Sequence, residues 1–356
     1  MGESNPLVGP SEVESRTLLP ELPERRGDVM VMSIARFNMV CPGIDPELVS
    51  DTYKAALDIA EYIDRHGFAM ATLDEHHGAN DGWMPSTLVT AGMFLARTKT
   101  MNTALYALLL PLHDPLRVAE DIAVLDLTSG GRLSPVVLGL GYRPEEYAMF
   151  DKDWSNRGKL FDECVDALLK AWTGEPFEFR GATVRVTPTP LTKPHPVVGI
   201  GGTSKVAARR AARFGLPFLP ARTVPGLADY YGEQCAERGV DGFCMEPGDV
   251  TVMLHVAEDP DRAWAEIGQH FLHEATMYAG WQTPDIQSSV HSHATTVEEL
   301  RTEGIYQILT PDEVIGRAKE LGELAAFNLH PLCGGMPIDK AWESVQLYVD
   351  KVLPNV

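Results

Sequence analysis

The stretch Phe-Ala-Met-Ala-Thr-Leu-Asp-Glu-His-His, residues 68–77, joins an apolar run directly to four consecutive ionisable side chains. The apolar run is too short for a helix and is bounded by Gly67 and Gly78, which is typical of a strand buried on both faces of a parallel sheet. Residues 74–77 then form the carboxyl tip of that strand. Because parallel α/β folds bind ligands at the carboxyl ends of their strands, we expect these four side chains at the mouth of a pocket.

The order of a strand followed by a helix repeats along the chain. This repeat implies right-handed crossovers and a parallel sheet. Eight such units favour an α/β fold with a closed, eight-stranded parallel βα barrel (TIM barrel) over an open doubly wound sheet. The strands are predicted at residues 29–37, 68–73, 102–110, 136–140, 197–200, 216–219, 250–256 and 325–332.

Two insertions interrupt the repeat. Residues 177–186 alternate around a central Arg-Gly pair, which predicts a small exposed hairpin before strand five. Residues 279–307, after strand seven, show little periodicity, and a loop of that length is usually functional or disordered, so we predict a lid. Residues 1–28 form a polar N-terminal arm, and residues 29–356 are predicted to form a single barrel domain.

Composition excludes several classes of partner. The chain has 356 residues and a formal net charge of −20, from 50 acidic and 30 basic residues, which would repel nucleic acid and anionic membrane surfaces. It lacks an apolar run of about 18 residues, and the arm lacks the pattern of a signal peptide. The five cysteines are scattered without any Cys-x-x-Cys pair, which is typical of reduced thiols in the cytoplasm.

The Glu75-His76-His77 sequence combines imidazoles with a carboxylate. An imidazole beside a carboxylate can accept or donate a proton near neutral pH, which indicates acid/base chemistry. Adjacent residues of an extended chain face opposite sides, so at most one of the two imidazoles should face the barrel axis. The alternative is a hydrogen-bonded cluster at a strand end, without chemistry.

Two glycine-containing loops are candidates for cofactor binding. In GGTSK (201–205), backbone N–H groups, hydroxyls and an ammonium converge on a predicted helix N-terminus, which suits a phosphate. This loop matches neither a Walker motif nor a dinucleotide fingerprint, and it could be an ordinary helix N-cap. In GLGYRPEEY (139–147), the glycines would let a ligand approach the backbone, although a tight turn is the simpler explanation.

Two histidine pairs have a spacing that could suit a metal, His270 with His273 and His291 with His293. Barrel metallohydrolases need such pairs on strand tips, whereas these lie in a predicted helix and a predicted loop. We therefore interpret them as solvated histidines and predict no metal site.

Taken in order, the motifs resemble those of the bacterial luciferase-like, flavin-dependent monooxygenases, over residues 29–354. The motifs are DEHH (74–77), LPLHDPLRVAED (110–121), SGGR (129–132), GYRPEE (141–146) and FGLP (214–217). The resemblance implies an oxidoreductase that binds reduced FMN at the carboxyl ends of the strands and activates dioxygen. It further implies a flavin that diffuses in from a separate NAD(P)H-dependent flavin reductase, and a homodimer.

The resemblance also implies roles for individual residues. His76 would be the catalytic acid/base or hydrogen-bond donor, the segment at Tyr106-Ala107 would pass under the flavin ring with a non-prolyl cis peptide, and Ser204 would hold the phosphate. The expected cofactor-binding residues are Glu75, Tyr106, Ala107, Leu140, Gly141, Gly202, Thr203, Ser204 and Lys205. A small and mostly apolar organic substrate is expected to contact Phe37, His77, Trp83 and Leu112.

Leu140 departs from the family pattern. Family members with this loop often carry an arginine there, in contact with the phosphate, and Lys205 is the nearest cation in sequence that could replace it. A related branch of the family uses a deazaflavin for hydride transfer, which is the first alternative. A flavin-binding homologue without catalysis and a metal-dependent barrel hydrolase are the others.

Overall fold

The computed structural model describes residues 31–247, 253–282, 290–322 and 325–356. The predicted arm, residues 1–28, lies outside these ranges, and the single barrel domain over residues 29–356 stays a prediction. The strands are β1 Met32–Phe37, β2 Met70–Leu73, β3 Asn102–Leu108, β4 Leu133–Leu138, β5 Phe177–Phe179, β6 Ala182–Val184, β7 Val198–Gly201, β8 Phe218–Leu219, β9 Met253–Val256, β10 Tyr306–Leu309 and β11 Ala326–Leu329.

Helices alternate with most of these strands, as the periodicity predicts. They are α1 Pro46–Arg65, α2 Thr87–Arg97, α3 Pro115–Ser129, α4 Pro144–Met149, α5 Arg157–Ala171, α6 Lys205–Phe214, α7 Leu227–Ala236, α8 Pro260–Trp281, α9 Val297–Glu303, α10 Pro311–Leu321 and α11 Ile338–Leu347. A single π-helical turn, Tyr348–Val352, extends α11.

Local sequence explains where these helices begin and end. The Asp114 carboxylate accepts hydrogen bonds from the backbone N–H groups of Leu116 and Arg117, and Pro115 occupies the first turn of α3. The same helix ends at Gly130 with φ of 70°, a left-handed conformation that glycine adopts without steric penalty. Because the strands of the main sheet are parallel, the loops that follow them leave the sheet from one edge.

The described residues contain a parallel sheet of nine strands, in the order β10-β9-β11-β1-β2-β3-β4-β7-β8. The expected α/β class and parallel pairing are confirmed, but the predicted number of eight strands is wrong for this sheet. The additional strand is β10, which pairs with β9 and is the first strand in this order, at the edge of the sheet. It has four residues and begins inside a stretch without clear alternation, so sequence periodicity could not reveal it.

The two predicted insertions have different outcomes. The hairpin is confirmed, because β5 and β6 pair antiparallel around Arg180 and Gly181. Residues 279–307 are not the irregular loop that was predicted: they contain the end of α8, all of α9 and the start of β10. A capping box, in which Thr296 and Glu299 each bond the other's backbone N–H, explains why α9 forms there. Residues 283–289 lie outside the described ranges, and a lid function stays a prediction.

Two further features of the described residues concern membrane spans and cysteines. No helix in the part of the chain that the structure describes is both long and apolar enough to cross a membrane. The five cysteines, Cys41, Cys164, Cys235, Cys244 and Cys333, all carry free thiols. The cytoplasmic location itself stays a prediction.

Two histidines within or directly after strands of the sheet are buried. His255 in β9 and His330 after β11 are both almost inaccessible to solvent. Burial lowers the pKa of His255 to about 3, and the positive charge of Lys340 acts in the same direction. Burial also lowers the pKa of His330 to about 3. Both imidazoles are therefore neutral in the folded protein at every pH near neutrality.

We expect the free energy of unfolding to decrease as the pH falls from about 6.5 to 4.5. The unfolded chain binds a proton at each of these histidines below about pH 6.5, whereas the folded protein does not until about pH 3, so acid stabilises the unfolded state. Each histidine should contribute about 1.4 kcal/mol per pH unit in this window. Urea unfolding at several pH values measures the slope.

His255→Asn should reduce that slope by about 1.4 kcal/mol per pH unit. His293→Asn is the matched control, because His293 is exposed and should leave the slope unchanged. Equal slopes for the wild type and His255→Asn would contradict the assignment of His255 as a buried neutral histidine.

Candidate functional site

The polar tip of β2 lies where the sequence predicts it. All four residues of β2 are buried, and residues 74–77 follow the strand at once. Because β2, β4 and β7 are parallel members of one sheet, their carboxyl ends lie along the same edge. The loops at residues 139–143 and 202–204 leave the sheet from this edge.

His76 is held between two polar partners. Its Nδ1 lies 3.0 Å from Glu146 Oε1, and its Nε2 lies 3.2 Å from the hydroxyl of Tyr142. The imidazole is buried, with 7% of its side chain exposed, and the Glu146 side chain is fully buried. Both ring nitrogens of the predicted catalytic residue are therefore engaged by one short segment, the end of the β4 loop and the start of α4.

Aromatic rings surround the His76 imidazole. The ring centroid of Trp281, at the end of α8, lies 4.7 Å from that of His76, and the Trp83 centroid lies 5.3 Å away. The Arg143 guanidinium lies 4.2 Å above the Trp281 ring, which holds the indole by a cation–π interaction. The indole N–H of Trp83 and Oε2 of Glu146 are buried and have no hydrogen-bond partner among the described residues.

His77 belongs to a separate hydrogen-bonded group. Its Nε2 lies 2.8 Å from Glu75 Oε1, and the Nε2 of His113 lies 2.7 Å from the same oxygen. The other Glu75 oxygen accepts hydrogen bonds from the Thr87 hydroxyl at 3.0 Å and from the Leu109 backbone N–H at 3.3 Å. Burial opposes the charge of Glu75, but the hydrogen bonds from His113 and His77 lower its pKa to about 2.

A buried ionic network lies below the site. The Arg36 guanidinium donates hydrogen bonds to Asp74 Oδ2 at 2.6 Å, to Glu274 Oε1 at 2.9 Å and to the Tyr278 hydroxyl oxygen at 2.7 Å. Tyr306 donates to the same Glu274 oxygen at 2.8 Å. Burial opposes the charge of Glu274, but the Arg36 guanidinium lowers its pKa to about 2, whereas burial raises the pKa of Asp74 despite the same guanidinium.

Among the described residues, two groups of side chains have a geometry that could hold a metal ion. In each group the ligand atoms lie within 4.8 Å of one another: Glu75 with His77 and His113, and Glu274 with His330 and Cys333. The carboxylates of Glu75 and Glu274 already have hydrogen-bond or ion-pair partners among the protein atoms around them. The histidines singled out by sequence spacing are elsewhere: His270 bonds the Gly334 carbonyl, His273 bonds Asp81, and His291 bonds Gln282.

The residues expected around a flavin ring lie on β3 and the loop after β4. The Tyr106-Ala107 peptide bond is cis, as expected. A Cβ atom on Gly139 would lie 2.9 Å from the Cβ of Ala107, so glycine is needed for this close approach. Gly141 has φ of 76°. Leu140 is half-buried, and its carbonyl accepts a hydrogen bond from the Tyr147 hydroxyl.

The residues expected at a phosphate lie where β7 turns into α6. Gly202 has φ of 122°, and a Cβ there would lie 2.9 Å from the Cβ of Ala207. Ser204 is the N-cap of α6, and its hydroxyl accepts a hydrogen bond from the Ala207 N–H at 3.2 Å. Thr203 is half-buried, while Lys205 is exposed with its ammonium 5.0 Å from the centre of the Tyr230 ring.

The expected substrate residues are not all brought together. Trp83 and His76 are in contact, but His77 turns toward Glu75. Phe37 is completely buried and packs on Phe94, with ring centroids 5.1 Å apart. Leu112 is buried in a small cluster with Leu109 and Tyr147. The roles of these residues in binding substrate stay predictions.

Sequence reasoning missed the partners of His76. The loop containing Tyr142, Arg143 and Glu146 was recognised as polar and aromatic, but none of the three was expected to bind His76. Tyr278 and Trp281 were missed as well, because they follow the helical periodicity of α8 and carry no local signal. A polar Tyr-Arg-Pro-Glu-Glu sequence at a strand tip was the one available indication.

Solved structures with the same fold include three oxidoreductases. Monooxygenase RslO1 of Streptomyces bottropensis matches with a TM-score of 0.71 and 22% identity, over 91% of this chain and 99% of its own. The oxygenating constituent of 3,6-diketocamphane monooxygenase of Pseudomonas putida, in complex with FMN, matches at 0.66 and 17%, over 92% and 99%. An F420-dependent secondary alcohol dehydrogenase matches at 0.61 and 16%, over 91% and 98%. At these identities the likeness concerns the fold.

Among curated proteins, the alkanal monooxygenase beta chain of Vibrio harveyi is 28% identical over 174 residues, which are 46% of this chain and 52% of that protein. The chain spans about half the length of the curated relatives it matches. The family model described as luciferase-like monooxygenase matches residues 32–325, most of the chain. The resemblance found in the motifs is thereby confirmed, and the chain belongs to the luciferase-like monooxygenase family.

Proposed function

We propose that the protein is a flavin-dependent monooxygenase that uses reduced FMN and dioxygen to oxidise a small, mostly apolar organic molecule. The observation that carries this proposal is the setting of His76, a buried imidazole with one polar partner on each nitrogen and aromatic rings around it. Such an imidazole can exchange a proton with a ligand while water is kept away.

The residues present fit a flavin mononucleotide. Gly139 and Ala107 approach so closely that no side chain separates them, which leaves an apolar surface suited to a planar ring. The turn at Gly202 leads into the N-terminus of α6, where free backbone N–H groups, Ser204 and the exposed Lys205 suit a phosphate. When bound, reduced flavin would supply the electrons that activate dioxygen.

The chain's own side chains would position and protect the reacting groups. Trp83, Tyr278 and Trp281 would exclude water from the imidazole. His76 would hold or move a proton at Nε2, the nitrogen that faces Tyr142 rather than the buried carboxylate. The buried indole N–H of Trp83 is a further donor for a polar atom of a ligand.

Binding and reoxidation of reduced FMN test the proposal. Anaerobic reduced FMN should raise the melting temperature, because a ligand that binds only the folded state stabilises it. Mixing the complex with dioxygen in a stopped-flow instrument should then consume an added substrate. Aliphatic aldehydes and cyclic ketones are the first to try, since the relatives are named for an alkanal and a diketocamphane. Binding without substrate oxidation would favour a passive flavin-binding protein.

A deazaflavin-dependent oxidoreductase is the second candidate. Two observations favour it: Leu140 provides no cation for the FMN phosphate, and one structure with this fold belongs to an F420-dependent alcohol dehydrogenase. A melting-temperature shift with F420, but none with reduced FMN, would select this alternative.

Lys205→Ala is expected to weaken FMN binding about 1.4- to 5-fold, because an exposed ion pair contributes about 0.2–1 kcal/mol. Riboflavin lacks the phosphate, so its affinity should not change. Isothermal titration of both ligands measures the difference, and Lys319→Ala, an exposed lysine on α10, is the matched control. Equal losses for FMN and riboflavin would contradict a phosphate contact at Lys205.

The proposal includes the expected partners. Electrons would come from a separate NAD(P)H-dependent flavin reductase. A homodimer is also part of the proposal, and exposed apolar side chains on the adjacent helices α2 and α3, at Val89, Met93, Val124 and Leu127, offer a surface for it.

A further inference from the structure

Glu146 is the fully buried carboxylate that contacts His76, and its other contacts restrict the protonation state of His76. Oε1 of Glu146 lies 3.0 Å from the backbone nitrogen of His77 and 3.1 Å from Nη1 of Arg143. A backbone N–H and a guanidinium N–H can only donate hydrogen bonds, so Oε1 is the acceptor in both contacts. The third group at Oε1 is Nδ1 of His76, at 3.0 Å.

Resting on the proposed function, we infer that Glu146 is a positioning residue that keeps the proton of neutral His76 on Nδ1, and that Tyr142 links the free Nε2 to the bound ligand. An ionised carboxylate oxygen is only an acceptor, so Nδ1 of His76, the third group at Oε1, carries the hydrogen in this assignment. A neutral imidazole then has a lone pair at Nε2, and the Tyr142 hydroxyl, 3.2 Å away, donates to it.

This arrangement defines a direction for proton movement. When a ligand group gives up a proton, the Tyr142 oxygen accepts it and the Tyr142 hydroxyl proton passes to His76 Nε2. One O–H bond forms and one breaks on Tyr142, and a new N–H bond forms on His76. Tyr142 stays neutral, and the positive charge on the imidazole faces Glu146.

Two further observations support the relay. Burial raises the pKa of the Tyr142 hydroxyl, which disfavours a phenolate and favours passing the proton on. One segment carries all the groups: Tyr142, Arg143 and Glu146 are within five residues at the start of α4, and Arg143 Nη1 also bonds the His77 carbonyl at 3.0 Å. The His77 carbonyl and backbone N–H are thus both fixed. These contacts hold the neighbouring backbone of His76 in place and so position the His76 imidazole.

The protonation state of His76 can be read directly, without any substrate. In protein with ¹⁵N-labelled histidine, the His76 signals are identified by their loss in His76→Gln. At neutral pH the wild type should show a hydrogen on Nδ1 and none on Nε2. Glu146→Ala should populate both tautomers, whereas Glu146→Gln, which keeps an acceptor oxygen at this position, should restore the wild-type pattern. Glu145→Ala changes an exposed carboxylate on the same helix and should have no effect.

Tyr142→Phe keeps the Nδ1 hydrogen in this scheme but should shift the Nε2 signal, because the donor to that nitrogen is lost. A wild-type hydrogen on Nε2, or a Glu146→Ala protein with the tautomer unchanged, would overturn the inference. If Glu146→Ala does not fold, the wild-type tautomer and Tyr142→Phe still decide it. These spectra do not require flavin, so a failure of the proposed monooxygenase function would be seen separately, as absent binding of reduced FMN.

Discussion

Replacing His76 with alanine is expected to lower turnover about 100-fold or more while changing the affinity for reduced FMN only a few-fold. General acid/base groups typically contribute about 10²- to 10⁴-fold to rate. The imidazole of His76 lies beside the Trp83 and Trp281 rings, and its Nε2 is linked to Tyr142. Turnover with reduced FMN, dioxygen and an aldehyde or ketone accepted by the wild type is the measurement.

His77→Ala is the matched control for that experiment. It removes the adjacent imidazole, whose Nε2 bonds Glu75 rather than the groups around His76. Its effect on turnover should therefore be much smaller, and any effect should be accompanied by a lower melting temperature. Equal losses of turnover in the two variants would remove the distinction between a catalytic and a structural histidine.

Arg36→Leu is expected to destabilise the folded protein by about 3–5 kcal/mol, because it leaves buried carboxylates without their counter-charge. Asp74 and Glu274 both bond Arg36 and have almost no exposure to solvent. Urea unfolding at pH 7 gives the free energy of unfolding. The difference in unfolding free energy between Arg36→Leu and the wild type should shrink at lower pH, since protonation of the Asp74 and Glu274 carboxylates removes their unpaired charge.

Arg97→Leu is the comparison for Arg36→Leu. Arg97 also pairs with two carboxylates, Asp58 and Glu61, but all three side chains are substantially exposed. Exposed ion pairs contribute about 0.2–1 kcal/mol each, so this variant should lose much less stability. Similar losses for Arg36→Leu and Arg97→Leu would show that burial of the first network does not govern its contribution.

The periodicity of apolar residues and the residues typical of turns were sufficient to predict most elements of the fold. The short run in residues 68–73 indicated a buried strand, the Arg180-Gly181 turn indicated a hairpin, and Ser129-Gly130 indicated the end of α3, because each signal depends on residues near one another in the chain. The short strand β10 was missed because it begins inside a stretch of sequence without clear alternation.

The partners within the candidate site were decided by tertiary structure. Asp74 to His77 could be placed at a strand tip from sequence, but the carboxylate that holds His76 is 70 residues away, at Glu146. The carboxylate that binds Arg36 together with Asp74 is 238 residues away, at Glu274. A buried charged side chain can pair with any oppositely charged side chain that the tertiary structure places beside it, however distant in sequence. Local sequence therefore does not identify its partner.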